Sequence, residues 1–378
     1  MHNLKVLLFI LILSITYSCS HKVTNIGNNA VHLKLIQSTK EVSDLSDYID
    51  DISVVKLNAN NAIVPTASKM LLYSDKILLF YGEEIYEFYQ DGRFSKTIGK
   101  VGRGPGEFIH LGDICIDNKE QFLIGISNHN EIYRYKLSNG EFVGKSDLSI
   151  HGNTAMGIMP SNNNSVAVFY ANPVLIDEKP FRMICFDESG KMIESKASFD
   201  DTDPYIPLSF KPTIFQTGDN CYTLSYKIGS CYSYCYHQGN IKSTTYIDFE
   251  EKAIPDNYFD DVKDPWDKVG EFFEDKRFKR PAALFTQKNY YVSAFGENSS
   301  VWNFITDGKK GIRWQSSSAD PVPPVFFLAA DKEYYYFLYL EYGHSETTDP
   351  LKRYVIDKTG LELKDNDNPA VIKVKFKI

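Results

Sequence analysis

YEFYQDG, from Tyr86 to Gly92, is the first of six stretches in which an aromatic-rich strand pattern ends in a polar turn and a glycine. The others are Tyr133 to Gly140 (YRYKLSNG), Met183 to Gly190 (MICFDESG), Ser233 to Gly239 (SYCYHQG), Trp302 to Gly308 (WNFITDG) and Arg353 to Gly360 (RYVIDKTG). The glycines lie 48, 50, 49, 69 and 52 residues apart. A unit of about fifty residues therefore recurs, and such a period marks a repeat architecture. One interval is stretched by an insertion.

Each repeat reads as four short strands. In the first they are 67–73, 76–81, 85–89 and 94–98; in the second, 113–117, 121–126, 131–136 and 141–145. Aromatic residues make up 14% of the chain, clustered with β-branched residues between Gly, Asn and Asp, which is strand composition. Four antiparallel strands repeated six times predict an all-β, six-bladed β-propeller, with the glycine turns joining third and fourth strands. Ile52 to Leu57 (ISVVKL) and Val371 to Ile378 (VIKVKFKI) are left over. They suit closure of the ring by strands from both termini, which removes a sheet edge; which of them lies outermost stays open.

The N-terminus reads differently. Lys5 precedes an apolar run from Val6 to Ile15, followed by Ser18-Cys19, which resembles a bacterial lipoprotein signal with Cys19 acylated after cleavage. Thr16 and Tyr17 depart from the usual lipobox, and an ordinary secretory signal is the alternative. The expected organisation is a leader over 1–18, a polar tether over 19–47, and a propeller over 48–378 with an insertion at about 250–281.

Between the first two repeats lies Gly99-Lys100-Val101-Gly102-Arg103-Gly104-Pro105-Gly106-Glu107-Phe108. It resembles the GxGPGEF signature of NHL-like six-bladed propellers, in particular the six-bladed propeller lipoproteins of Bacteroidota. Asp367 to Val371 (DNPAV) is similar to the segment that often closes those proteins. The resemblance implies an exported lipoprotein of the cell envelope, anchored in the outer membrane, and Ser20, His21 and Lys22 after Cys19, in place of the acidic residues associated with surface export, lean toward the periplasmic side. Physically, the closely spaced glycines and Pro105 permit a tight crossover between blades. No Gly-Lys-Ser/Thr follows and no helix is predicted there, so a phosphate-binding loop is not expected.

The net charge is -8 and no run of Lys or Arg tracks a phosphate backbone, so nucleic acid is not an expected partner. The eight histidines form no HxH or HExxH pair and no GxSxG elbow occurs, so neither a metal nor another cofactor is expected. Carboxylates at Asp200, Asp201, Asp203, Asp260, Asp261 and Asp264 read as solvated loops or as acid/base groups acting on a sugar. Cys221 and Cys235 are a candidate cross-strand disulfide if their hairpin centres near Ile228; buried free thiols beside Cys115 and Cys185 are the alternative.

Blade topology places the glycine turns on one face and the long segments 172–180, 199–212, 250–281 and 342–350 on the other, the usual ligand face. After Pro265, Trp266, Val269, Phe272 and Phe273 recur at helical spacing, predicting a short amphipathic helix. Its aromatics either pack inward as a lid or leave Tyr258 or Trp266 open for stacking. Arg103, Glu107, His110, His129, Tyr205 and Lys227 are expected around the same mouth. The expected function is non-catalytic binding of a glycan, a peptide or an envelope protein, with membrane contact through the lipid alone. The alternative is a carbohydrate lyase or hydrolase, or a metal-dependent lactonase-like enzyme, at an axial pocket.

Overall fold

The computed structural model describes residues 30–59, 64, 67–150, 153–198, 213–218, 221–225, 231–255, 258–259, 261–262, 266–296, 300–316, 325–340, 349–364 and 367–378. The chain opens with β1 (Val31–Lys34), one helical turn α1 (Leu35–Ser38), β2 (Thr39–Glu41) and β3 (Ile49–Lys56). Antiparallel units follow. The first is β4 (Lys69–Tyr73), β5 (Lys76–Phe80), β6 (Ile85–Tyr89) and β7 (Phe94–Thr97). A crossover holding β8 (Lys100–Val101) and β9 (Glu107–Phe108) leads to β10 (Leu111–Ile116), β11 (Phe122–Ser127), β12 (Glu131–Lys136) and β13 (Phe142–Asp147). Next come β14 (Ala155–Pro160), β15 (Val166–Ile176), β16 (Lys179–Phe186) and β17 (Met192–Ser198), then β18 (Thr213–Thr217), β19 (Cys221–Ser225), β20 (Tyr232–His237) and β21 (Asn240–Asp248). Helix α2 (Trp266–Glu274) precedes β22 (Lys279–Phe285), β23 (Tyr290–Phe295), β24 (Val301–Thr306) and β25 (Gly311–Ser316). The chain ends with β26 (Val325–Ala330), β27 (Tyr335–Tyr339), α3 (Pro350–Thr359) and β28 (Ala370–Phe376).

These strands form an all-β propeller arrangement. Four blades stand as separate sheets: β4–β7, β10–β13, β14–β17 and β22–β25, the last with β2 added at its edge. The remaining strands form one nine-stranded sheet, β1-β21-β20-β19-β18-β26-β27-β28-β3, instead of further separate blades. Two antiparallel runs, β21 to β18 and β26 to β3, meet at one parallel pair, Gln216 with Ala329, and β1 adds parallel to β21. Middle strands such as β11 and β12 are buried on both faces, whereas the edge strand β13 alternates between half-buried and exposed. That gradient is what sheets packed face to face around a centre produce.

First strands meet at the centre, where polar contacts join them. β10 contacts β4 and β14, and β18 contacts β4, β22 and β26. The Gln216 side chain donates to the Leu72 carbonyl at 2.8 Å and accepts from the Leu72 amide. Lys69 of β4 bonds both oxygens of Asp113 of β10 at 2.9 Å, and Asp113 also accepts from the Ile158 amide of β14 at 3.0 Å. Both side chains of this ion pair are 3% exposed.

Several expectations need correction. Five of the six glycines, Gly92, Gly140, Gly190, Gly239 and Gly308, occupy turns between third and fourth strands, with positive φ. The sixth stretch, RYVIDKTG, lies in α3. Asp349 caps that helix by accepting from the Leu351 and Lys352 amides, Pro350 sits in its first turn, and Gly360 ends it in the left-handed conformation at φ 63°. Asp-Pro at the start and Gly just past the end are helix start and stop signals, and here they override the period.

The tether assigned to 19–47 is also wrong over its described part. β1 runs parallel to β21 and β2 parallel to β25, while Leu33, Leu35 and Leu45 are buried. The leader and Cys19 lie outside the described residues. β3 pairs with β28 and takes the edge position. The segment 172–180 is no long loop: β15 and β16 continue through it to the pair Ile176 with Lys179. Asp177 and Glu178 between them both have positive φ, as a two-residue type I′ turn requires.

Cys221 and Cys235 are free thiols. The observed register sets Tyr222 opposite Tyr236 and Thr223 opposite Cys235. The cysteines are therefore diagonal neighbours, and a direct cross-strand disulfide does not fit. The Cys221 thiol is instead hydrogen-bonded with that of Cys235, 3.8 Å from the Lys242 ammonium and 3.9 Å from His237 Nδ1.

Candidate functional site

The Gly-rich crossover builds the site. β8 and β9 pair in parallel, Lys100 with Glu107 and Val101 with Phe108, so residues 102–106 form a closed loop. The Gly102 amide donates to the Phe108 carbonyl at 3.0 Å, and the Tyr135 hydroxyl donates to the Gly106 carbonyl at 3.1 Å. Phe108 is buried beneath the loop, edge-on to Tyr133 at 6.1 Å between ring centres. Gly106 has φ +77°, and a Cβ there would lie 2.7 Å from the Cβ of Phe142. Glycine is needed at that point both for conformation and for close approach.

Between this loop and the outer strands of the same blade lies a cavity of about 390 Å³. Arg103, Glu107 and His110 line it from the crossover, His129 from the β11–β12 turn, and Glu131 and Lys145 from β12 and β13. Four of the eight binding residues expected from sequence thus converge. The cavity is bounded by the crossover, the β11–β12 turn, β12 and β13.

Both carboxylates of the cavity are held ionised. Lys100 pairs with Glu107 at 2.8 Å, and the Gly104 amide donates to it at 2.8 Å; together they keep its carboxyl below the usual range. At Glu131 partial burial pushes the other way, yet Lys145 at 2.6 Å and the Tyr133 hydroxyl at 2.8 Å prevail, and its carboxyl also sits below the usual range. His110 packs its ring over Gly82.

The other expected residues fall elsewhere. Tyr205 and Lys227 lie outside the described residues. Trp266 opens α2 as predicted, and its side chain also lies outside them. Tyr258 is half-buried and not an open platform: Phe259 and Phe272 meet its ring edge-on, and the Lys268 ammonium lies 4.8 Å from its centre. It belongs to a small separate core with Ile254, Val269 and Phe272. The inward-packing alternative therefore describes Tyr258. Glu131, Lys145 and Tyr133 escaped the sequence reading. Their alternation along an edge pair of strands was the available signal, because Glu131 and Lys145 flank the same glycine turn.

Among the described residues no group of three or more His, Cys, Asp or Glu side chains is placed to hold a metal, and no helix is long and apolar enough to cross a membrane. A family model described as Domain of unknown function (DUF4934) matches residues 29–375. No curated protein matches the chain. Among solved structures, a Bacteroides fragilis protein described as exported is similar with a TM-score of 0.68 at 14% identity, over 92% of this chain and 100% of that one. A member of the DUF4221 family from Bacteroides vulgatus gives a TM-score of 0.52 at 9% identity, over 87% of this chain and 97% of that one. At such identities the likeness is one of fold.

Proposed function

Because the chain belongs to the DUF4934 family, whose description assigns no activity, we propose a function from its own residues: a non-catalytic binding module of the cell envelope, taking its ligand in the crossover cavity. One observation carries this reading, the convergence of Arg103, Glu107, His110 and His129 on a preformed cavity in the size range of small-ligand sites. The enzyme alternative is less well supported. A general acid acting on a sugar needs a carboxyl with a raised pKa, and both carboxyls here are depressed by lysine partners.

The architecture is read as six-bladed, with β18–β21 and β26–β28 plus β3 as two blades bridged at Gln216, and with β3 and β28 closing the ring. The lipoprotein-like leader and the exported structural relative support export, with Cys19 as the anchor in an outer membrane. Palmitate labelling tests the anchor: the label is lost in Cys19→Ala, and continued labelling would exclude it. For the site, glycan and peptide arrays should register a ligand for the wild type, unchanged binding for Trp266→Ala and weakened binding for Arg103→Ala. Equal binding by all three would move the site off this cavity.

A further inference from the structure

The charges around the cavity do not cancel. Glu107 is matched by Lys100 and Glu131 by Lys145. Arg103 remains: among the described residues its side chain makes no hydrogen bond or ion pair, although the loop that carries it is fixed at both ends by the β8–β9 pairing. His110 and His129 also present exposed rings. A guanidinium held on a rigid loop without a partner is a ready receptor for one carboxylate, which it can engage through two parallel hydrogen bonds.

The surroundings narrow the ligand further. Glu107 and Glu131 line the same cavity, so a second carboxylate entering beside the first would be repelled, which disfavours a run of acidic residues. Their remaining oxygen lone pairs and the imidazoles instead suit groups that both donate and accept, as ring hydroxyls do. Ile109, 59% exposed, and the half-buried Phe142 supply an apolar surface for the C–H face of a ring. We propose that the cavity recognises an acidic sugar, with Arg103 clasping the carboxylate of a uronic acid ring. The proposal rests on the binding reading above and adds the ligand class.

The test is calorimetric titration of the whole protein with short oligosaccharides that carry a single galacturonate or glucuronate ring, their neutral galactose and glucose counterparts, and a glutamate-containing peptide. The expected result is that one acidic series binds at least about tenfold more tightly than its neutral counterpart. Arg103→Gln should bring the acidic series down to the neutral level without changing the thermal midpoint, because the side chain is exposed and unbonded. Equal binding of acidic and neutral sugars, preference for the peptide, or indifference to Arg103→Gln would overturn the acidic-sugar assignment while leaving a binding site. No heat from any probe, together with silent arrays, would overturn the binding reading itself.

Discussion

Asp349 shows how one residue carries opposing demands. It caps α3, yet burial pushes its carboxyl above the usual range, against hydrogen bonds from Ser316 and two backbone amides. A carboxyl raised in the folded state contributes stability that is fully present below its unfolded pKa and is lost as pH rises through its folded one. Asp349→Asn keeps a capping oxygen and removes that loss. Chemical denaturation should therefore show the variant gaining on the wild type as pH climbs above the ordinary aspartate range. Asp349→Ala should cost about 1 kcal/mol through loss of the cap. Glu107 has the opposite sign: its lowered carboxyl helps above the usual glutamate range and stops helping as pH falls through the depressed value. The Gly104 amide resonance should follow that titration, with a midpoint below the ordinary glutamate value. The Asp349-Pro350 helix start went unread, because Gly360 fell on the repeat spacing and drew the reading toward a hairpin.

Among the elements, α2 and its surroundings are a satellite of the main fold. Phe272 is 1% exposed within a cluster that also holds Ile254, Phe259 and Val269, and buried Lys279 donates to the Phe272 carbonyl at 2.7 Å near the end of the helix. Phe272→Ala should destabilise this unit by about 3–5 kcal/mol. Limited proteolysis should then cut within 250–279 at a temperature where the blades resist; cleavage spread through all blades would contradict a separate unit. The helix was legible because Val269 and Phe272 keep helical spacing after a proline. The strap formed by β1, α1 and β2 was not. Strands of three or four residues added to existing edges need no period of their own, and the sequence around Leu33 and Leu35 reads as polar chain until β21 and β25 stand beside it.

For the whole molecule, the Lys69–Asp113 pair ties two blades to a third through the Ile158 amide. Its partners are 44 residues apart, so no local pattern announces it. Lys69→Met leaves a carboxylate buried without its cation and should cost about 3–5 kcal/mol in denaturant titration, whereas Lys69→Met with Asp113→Leu should recover most of that. Recovery is the informative outcome, since it separates a stranded charge from lost packing. The pairing of β3 with β28 has a consequence in time. Ile52 sits opposite Val374 and Val31 opposite Thr245. The first strands to leave the ribosome therefore find their neighbours only when much or all of the chain has been made, and contacts this distant in sequence slow folding. Until then β3 leaves Ile49, Ile52, Val54 and Val55 without their cross-strand neighbours, so an unfinished chain would depend on holding chaperones in a way the finished one does not.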